Sequence, residues 1–91
     1  MNTEAQQLVR RTLARYAGRS AHSLHPRLRV EADLDLTPLQ LVLLAIDIEE
    51  VVGTRVPVEG LASVETVGDL MRFFRRALSP ARRSDSLRRV A

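Results

Sequence analysis

Residues 33–57 read DLDLTPLQLVLLAIDIEEVVGTRVP, and the order of residue types here sets one helix between two stops. Thr37 is a favoured N-cap, because its hydroxyl accepts from an amide that the first helical turn leaves unpaired. Pro38 follows at the first helical position, where a missing N–H has no partner to lose. Gln40 stands three residues after Thr37, the spacing of a capping box. The aliphatic run ends near Val52, and Gly53 supplies the left-handed residue that closes many helices. A helix over about 38–52 is therefore predicted. On it Leu41, Val42, Leu44, Ala45, Ile46, Ile48 and Val52 are assigned to the core, and Gln40, Leu43, Asp47 and Glu50 to the outer face.

Upstream, Thr3 and Gln6 show the same capping-box spacing, with Thr3 as the N-cap. Leu8, Val9, Leu13 and Tyr16 or Ala17 then recur at helical intervals until Gly18. This predicts a first helix over about 4–17 with Arg10, Arg11 and Arg15 on its outer side. Residues 18–36 mix Gly, Ser, His and Pro with scattered aliphatics, and read as a long loop anchored by Leu24, Leu28, Val30 and Leu34. Such loops are uncommon in compact domains. Downstream, one short helical turn is expected over about 59–62, and a last helix starts near Ser63 or Thr66. Thr66 with Asp69 makes a third capping box, and Val67, Leu70, Met71, Phe74 and Leu78 form one apolar stripe. After Ser79-Pro80 the periodicity ends, and ARRSDSLRRVA reads as a disordered tail.

A chain of 91 residues suits one small domain, and 45% hydrophobic content with only 3% aromatics makes its core aliphatic. The absence of cysteine excludes a disulfide framework, a thiolate metal site and a cysteine nucleophile. No apolar run is long enough to span a bilayer. The opening MNTEAQQLVRR lacks the basic-then-apolar order of a signal peptide, so a cytoplasmic location is expected. Charge is unevenly placed. Residues 72–91 hold seven arginines against Asp85, a formal +6, whereas residues 1–71 hold seven arginines against ten carboxylates, a formal −3. His22 and His25, with Glu31, Asp33 and Asp35 following, lie in a loop that fixes no ligand geometry, so no metal site is expected. There is no Gly-x-Ser-x-Gly elbow and no phosphate-cradling glycine loop, and the chain is not expected to be an enzyme.

The stretch 33–57 resembles acyl carrier proteins, whose outline is Asp-Leu-Gly-x-Asp-Ser-Leu, a helix rich in Val, Leu and Glu, a Gly- or Asp-containing break, and Ile/Val-Pro. Asp33-Leu34 opens the match, Glu49-Glu50 stand near the helix end, and Gly53-Thr54-Arg55-Val56-Pro57 closes it, without a gap. The resemblance extends over about residues 4–78 and is weak in the first helix. It implies an all-α, acyl-carrier-like bundle of three or four helices with a long first loop, as residues 1–78, followed by a basic tail, 79–91. In this register the family's Asp-Ser-Leu falls on Thr37-Pro38-Leu39. The family's serine hydroxyl attacks the pyrophosphate of coenzyme A, and the resulting phosphopantetheine arm holds an acyl group as a thioester. Proline has no heteroatom for that step, so no phosphopantetheine and no other cofactor are expected.

The resemblance also implies a partner surface. Working carriers bear acidic residues on the outer face of this helix just after the serine, and the corresponding Thr37, Gln40 and Leu43 are not acidic. Leu36, Leu39 and Leu43 with Thr37 and Gln40 are read as a neutral-to-apolar docking patch that turns acidic at Asp47 and Glu50. The expected partner is a biosynthetic enzyme of fatty-acid or polyketide type, a regulatory protein, or a second copy of the chain. Two alternatives remain open: an arm carried on a residue such as Thr37, whose hydroxyl is otherwise needed as the cap, and a small basic protein that binds nucleic acid or membrane through the Arg-rich end.

Overall fold

In the computed structural model, which describes residues 3–79, α1 spans Thr3–Ala17, α2 Pro38–Val52 and α3 Val67–Ala77, with 3-10 segments at Ala21–Ser23 and Val58–Ser63. The starts of α2 and α3 and the ends of α1 and α2 fall where a local signal stands. At the end of α1 Gly18 is left-handed at φ 66. The Gly18 N–H donates to Arg15 O at 3.3 Å and the Arg19 N–H to Ala14 O at 3.0 Å, the paired bonds of a Schellman stop. Both capping boxes at Thr37/Gln40 and Thr66/Asp69 form as the spacing predicts. Thr3 is an exception: it is already helical, so it is not the N-cap. Of the tail reading, residues 79–91, all but Ser79 lie outside the described residues; the Ser79 N–H donates to Arg76 O at 3.3 Å.

The core is aliphatic around one aromatic ring. Val9 and Leu13 of α1, Leu41, Leu44, Ala45 and Ile48 of α2, and Val67, Leu70 and Phe74 of α3 are all buried. Burying each larger side chain is worth about 1.5–3 kcal/mol. α1 packs on both other helices, most extensively on α2, while the 58–63 segment bridges α2 and α3. The only polar side chain buried among the described residues is Thr12, whose hydroxyl donates to Leu8 O at 2.7 Å.

The 18–37 loop is fastened along its length. Leu24, Val30 and Leu34 are buried and Leu28 packs against the core, as anchors should. The Val67 N–H donates to Leu28 O at 2.8 Å and the Gly68 N–H to Pro26 O at 2.9 Å, so two orphan amides of the α3 N-terminus are satisfied by the loop. An antiparallel bridge joins Arg29 to Thr66 beside them. The Arg10 guanidinium donates to Ala21 O at 3.0 Å. Arg10 thus serves the loop and is half-buried, where the sequence placed it on the solvated side of α1.

Candidate functional site

The start of α2 is built by a left-handed turn. Asp35 has φ 56 and is the one non-glycine residue with positive φ among those described. In the register set by Asp33-Leu34 it occupies the place of the outline's glycine, the residue that takes this conformation without a side-chain penalty. The turn reverses the chain, and Leu36 is directed inward with its N–H donating to Val30 O at 3.0 Å. Leu36 is consequently 2% exposed. It is a core residue and no part of an outer patch, which corrects its assignment from sequence.

Thr37 follows with extended backbone, and its hydroxyl accepts the Gln40 N–H at 3.1 Å. The Gln40 side-chain oxygen accepts the Thr37 N–H at 2.9 Å in return. Pro38 lies next, exposed, at the first helical position. Beside it a pocket of about 270 Å³ opens between the first turn of α2 and the 58–63 segment, walled by Leu36, Pro38, Leu41, Val58 and Leu61, with Glu31 and Glu59 also lining it. It has room for a small apolar group. At the position next to the cap the chain therefore presents a pyrrolidine ring, and the adjacent hydroxyl is engaged in holding the helix.

The outward side of α2 is more apolar than the sequence suggested. Leu39 is 66% exposed, Leu43 44% and Ile46 39%. Together with the exposed Glu50 they recur at i, i+4, i+7 and i+11, a single line along the helix. Ile46 is therefore not the core residue that the sequence reading makes it; it points the opposite way from Ile48, two residues on. Val51 at 68% exposure stands off this line. Gln40 is half-buried beside the line, engaged in its cap.

Asp47 is not a free docking charge. Its carboxylate accepts from the Tyr16 hydroxyl and lies 3.5 Å from the Arg15 guanidinium, tying α2 to α1. That hydrogen bond, with burial and the carboxylate's charge, holds the Tyr16 phenol above its ordinary pKa, against a smaller opposing effect of Arg15. Glu49 likewise turns inward, accepting the Val56 N–H at 2.6 Å across the Gly53 turn. Of the acidic residues at this end of α2, Glu50 alone stays on the outer line, without a hydrogen bond or ion pair to any described residue.

On the far side of the 58–63 segment a second cleft, of about 390 Å³, runs along α3. Pro57, Val64, Phe73 and Ala77 give it an apolar floor, and Ser63, Arg72 and Arg76 form its polar edge. A Cβ on Gly60 would come within 2.9 Å of the Phe73 ring, so glycine there lets the ring lie against the segment. Asp69 also borders the cleft, but it accepts from the Glu65 and Thr66 amides, both at 3.1 Å, and pairs with Arg72. Those donors hold its carboxyl below the ordinary range, the Glu65 amide foremost. No described residue pairs with Arg76, and the edge is net positive.

No cluster of three or more His, Cys, Asp or Glu among the described residues is placed to hold a metal ion. His22 is exposed, as is His25. The features missed from sequence, Ile46, the Tyr16–Asp47 tie and the α3 cleft, all depend on which way a helix faces. The i+3 and i+7 spacing of Ile46 from Leu43 and Leu39 was the available signal for the first of these.

Residues 7–74 match the family described as PP-binding, phosphopantetheine attachment site, a span that takes in all three helices from within α1 to within α3. No curated protein matches the chain.

Proposed function

The chain belongs to the phosphopantetheine attachment site family, and on that premise we propose that it is a carrier-fold protein without a covalent arm, acting by docking other proteins through α2. Carrier domains of this family interact with partner enzymes and generally do not catalyse. Pro38 carries the reading: at the start of α2, where the register puts the family's serine, there is no oxygen nucleophile. The helix N-terminus that favours a phosphate is still present, but the group that would bond to it is not. Thr37 is a poor substitute, since modifying its hydroxyl would remove the acceptor of the Gln40 N–H.

What remains is a surface. Leu39, Leu43 and Ile46 make an apolar line, Leu43 standing where an arm-bearing carrier presents a carboxylate, and such a line suits an apolar groove on the partner better than a basic patch. A fatty-acid- or polyketide-type enzyme, or a regulatory protein beside one, is the setting this implies. Among the described residues no helix is long and apolar enough to cross a membrane.

Intact mass tests the reading. The protein from its native host, and after incubation with coenzyme A and a promiscuous phosphopantetheinyl transferase, is expected to show no added arm, whereas Pro38→Ser is expected to gain one. An arm on the wild-type protein overturns the reading, and its loss in Thr37→Ala would locate it.

A further inference from the structure

Two surfaces of this one chain are complementary. The outer line of α2 offers Leu39, Leu43 and Ile46 with the Glu50 carboxylate, unpaired by any described residue, at its C-terminal end. The cleft along α3 offers an apolar floor of Pro57, Val64 and Phe73 with Arg76, unpaired by any described residue, at its edge. The spans that would pair agree in length: Leu43 to Glu50 covers about 10 Å of helix at 1.5 Å per residue, and Asp69 to Arg76 about 10 Å as well. We propose that the occupant of the α3 cleft is α2 of a second copy of this chain, with its leucines and Ile46 against Phe73 and Glu50 against Arg76.

The proposal rests on the reading of α2 as a docking face and names one partner for it. Desolvating three aliphatic side chains drives the contact, and the Glu50–Arg76 pair fixes its direction. The other acids near α2 cannot compete for Arg76, since Asp47 and Glu49 are engaged within their own chain. The contact is small beside the roughly 800 Å² per partner of stable complexes, so association on the order of micromolar or weaker is expected. Self-association would also cover the line that other partners need, making the two modes of docking exclusive.

Sedimentation equilibrium of the purified full chain over a wide concentration range tests this, with thermal melts to show that each variant folds. Wild type is expected to gain mass with concentration. Leu43→Asp, Glu50→Arg and Arg76→Glu should each weaken association by about tenfold or more, and Glu50→Arg combined with Arg76→Glu should recover it relative to either reversal alone. A monomer at every concentration overturns the proposal. So does association that ignores these variants, or a charge swap that fails to recover. An immobilised condensing enzyme from the host separates the two levels of the argument. If the chain is monomeric but Leu43→Asp still abolishes capture by that enzyme, self-association alone falls; if Leu43→Asp changes neither, the α2 docking reading falls with it.

Discussion

Asp35 and Gly53 bracket α2 with left-handed backbone, at φ 56 and φ 71, and only one of them is the residue that geometry favours. An L-residue in this conformation costs roughly 1–2 kcal/mol, less for Asp and Asn. Glycine removes that cost but loses roughly 0.5–1 kcal/mol of backbone entropy on folding. The balance predicts that Asp35→Gly leaves stability unchanged or raises it by up to about 1 kcal/mol. Gly53→Ala runs the same balance in reverse, with an alanine that lacks the local hydrogen bonds by which Asp tolerates this backbone. A Cβ there meets nothing within 4 Å, so the backbone angle alone acts, and a loss of about 1 kcal/mol is expected. Urea midpoints at constant m-value would register both signs; a clear loss for Asp35→Gly would mean the Asp35 side chain holds the turn together. The contrast also explains what was legible. Gly53 announced its stop because glycine is the usual residue for one. Asp35 did not, because aspartate occurs in turns of many kinds and nothing in its neighbours demands a positive φ.

The elements were legible where their signals are local. Each capping box is an i, i+3 pattern that needs no knowledge of the rest of the fold, and the boxes at Thr37 and Thr66 both form. Facing is a different matter. α2 is apolar around most of its circumference, so hydrophobicity alone did not separate Ile46, which is exposed, from Ile48, which is buried; only the helical spacing of Ile46 from Leu43 and Leu39 marks it. α3 is polar on one side and its stripe was readable: Val67, Leu70 and Phe74 are buried as predicted. Its N-terminus also carries a pH dependence. Asp69 is held below its ordinary pKa by the Glu65 and Thr66 amides and Arg72, so the carboxylate is favoured by folding. A depressed carboxyl contributes stability fully above its unfolded pKa and loses that contribution as pH falls through the folded one. Wild type should therefore exceed Asp69→Ala in melting temperature at neutral pH, with the gap narrowing below about pH 4. A gap that persists unchanged well into the acid range would assign the effect to helix packing instead of the carboxylate.

At the scale of the whole molecule, the 18–37 connection leaves α1 and α2 to be oriented by what they exchange across the interface. Packing of Val9 and Leu13 against the buried side of α2 supplies most of it, and no sequence pattern announces the polar ties that meet at Asp47. The Tyr16 hydroxyl donates to Asp47, whose partner in sequence is 31 residues away, while the Arg15 guanidinium lies 5.8 Å from the Tyr16 ring centre. Tyr16→Phe keeps the ring and that cation contact but deletes the donor. A hydrogen bond to a charged group is worth about 1.5–3 kcal/mol; with the Asp47 side chain 42% exposed, solvent screening lowers the expected loss to about 1 kcal/mol. For a domain of this size that is about 4–8 °C in melting temperature. The sign against pH follows from the direction of the shift. The phenol's pKa is raised in the folded chain, so its contribution is complete below the unfolded value near 10 and is lost as pH rises through the folded one. The difference between wild type and Tyr16→Phe should hold steady from neutral pH to about 9 and close above about 10. Asp47→Ala should remove most of the same energy, and combining the two should cost less than their sum, because both delete one bond. Full additivity would separate the two residues, and the hydrogen bond between them would then contribute nothing to holding α1 on α2.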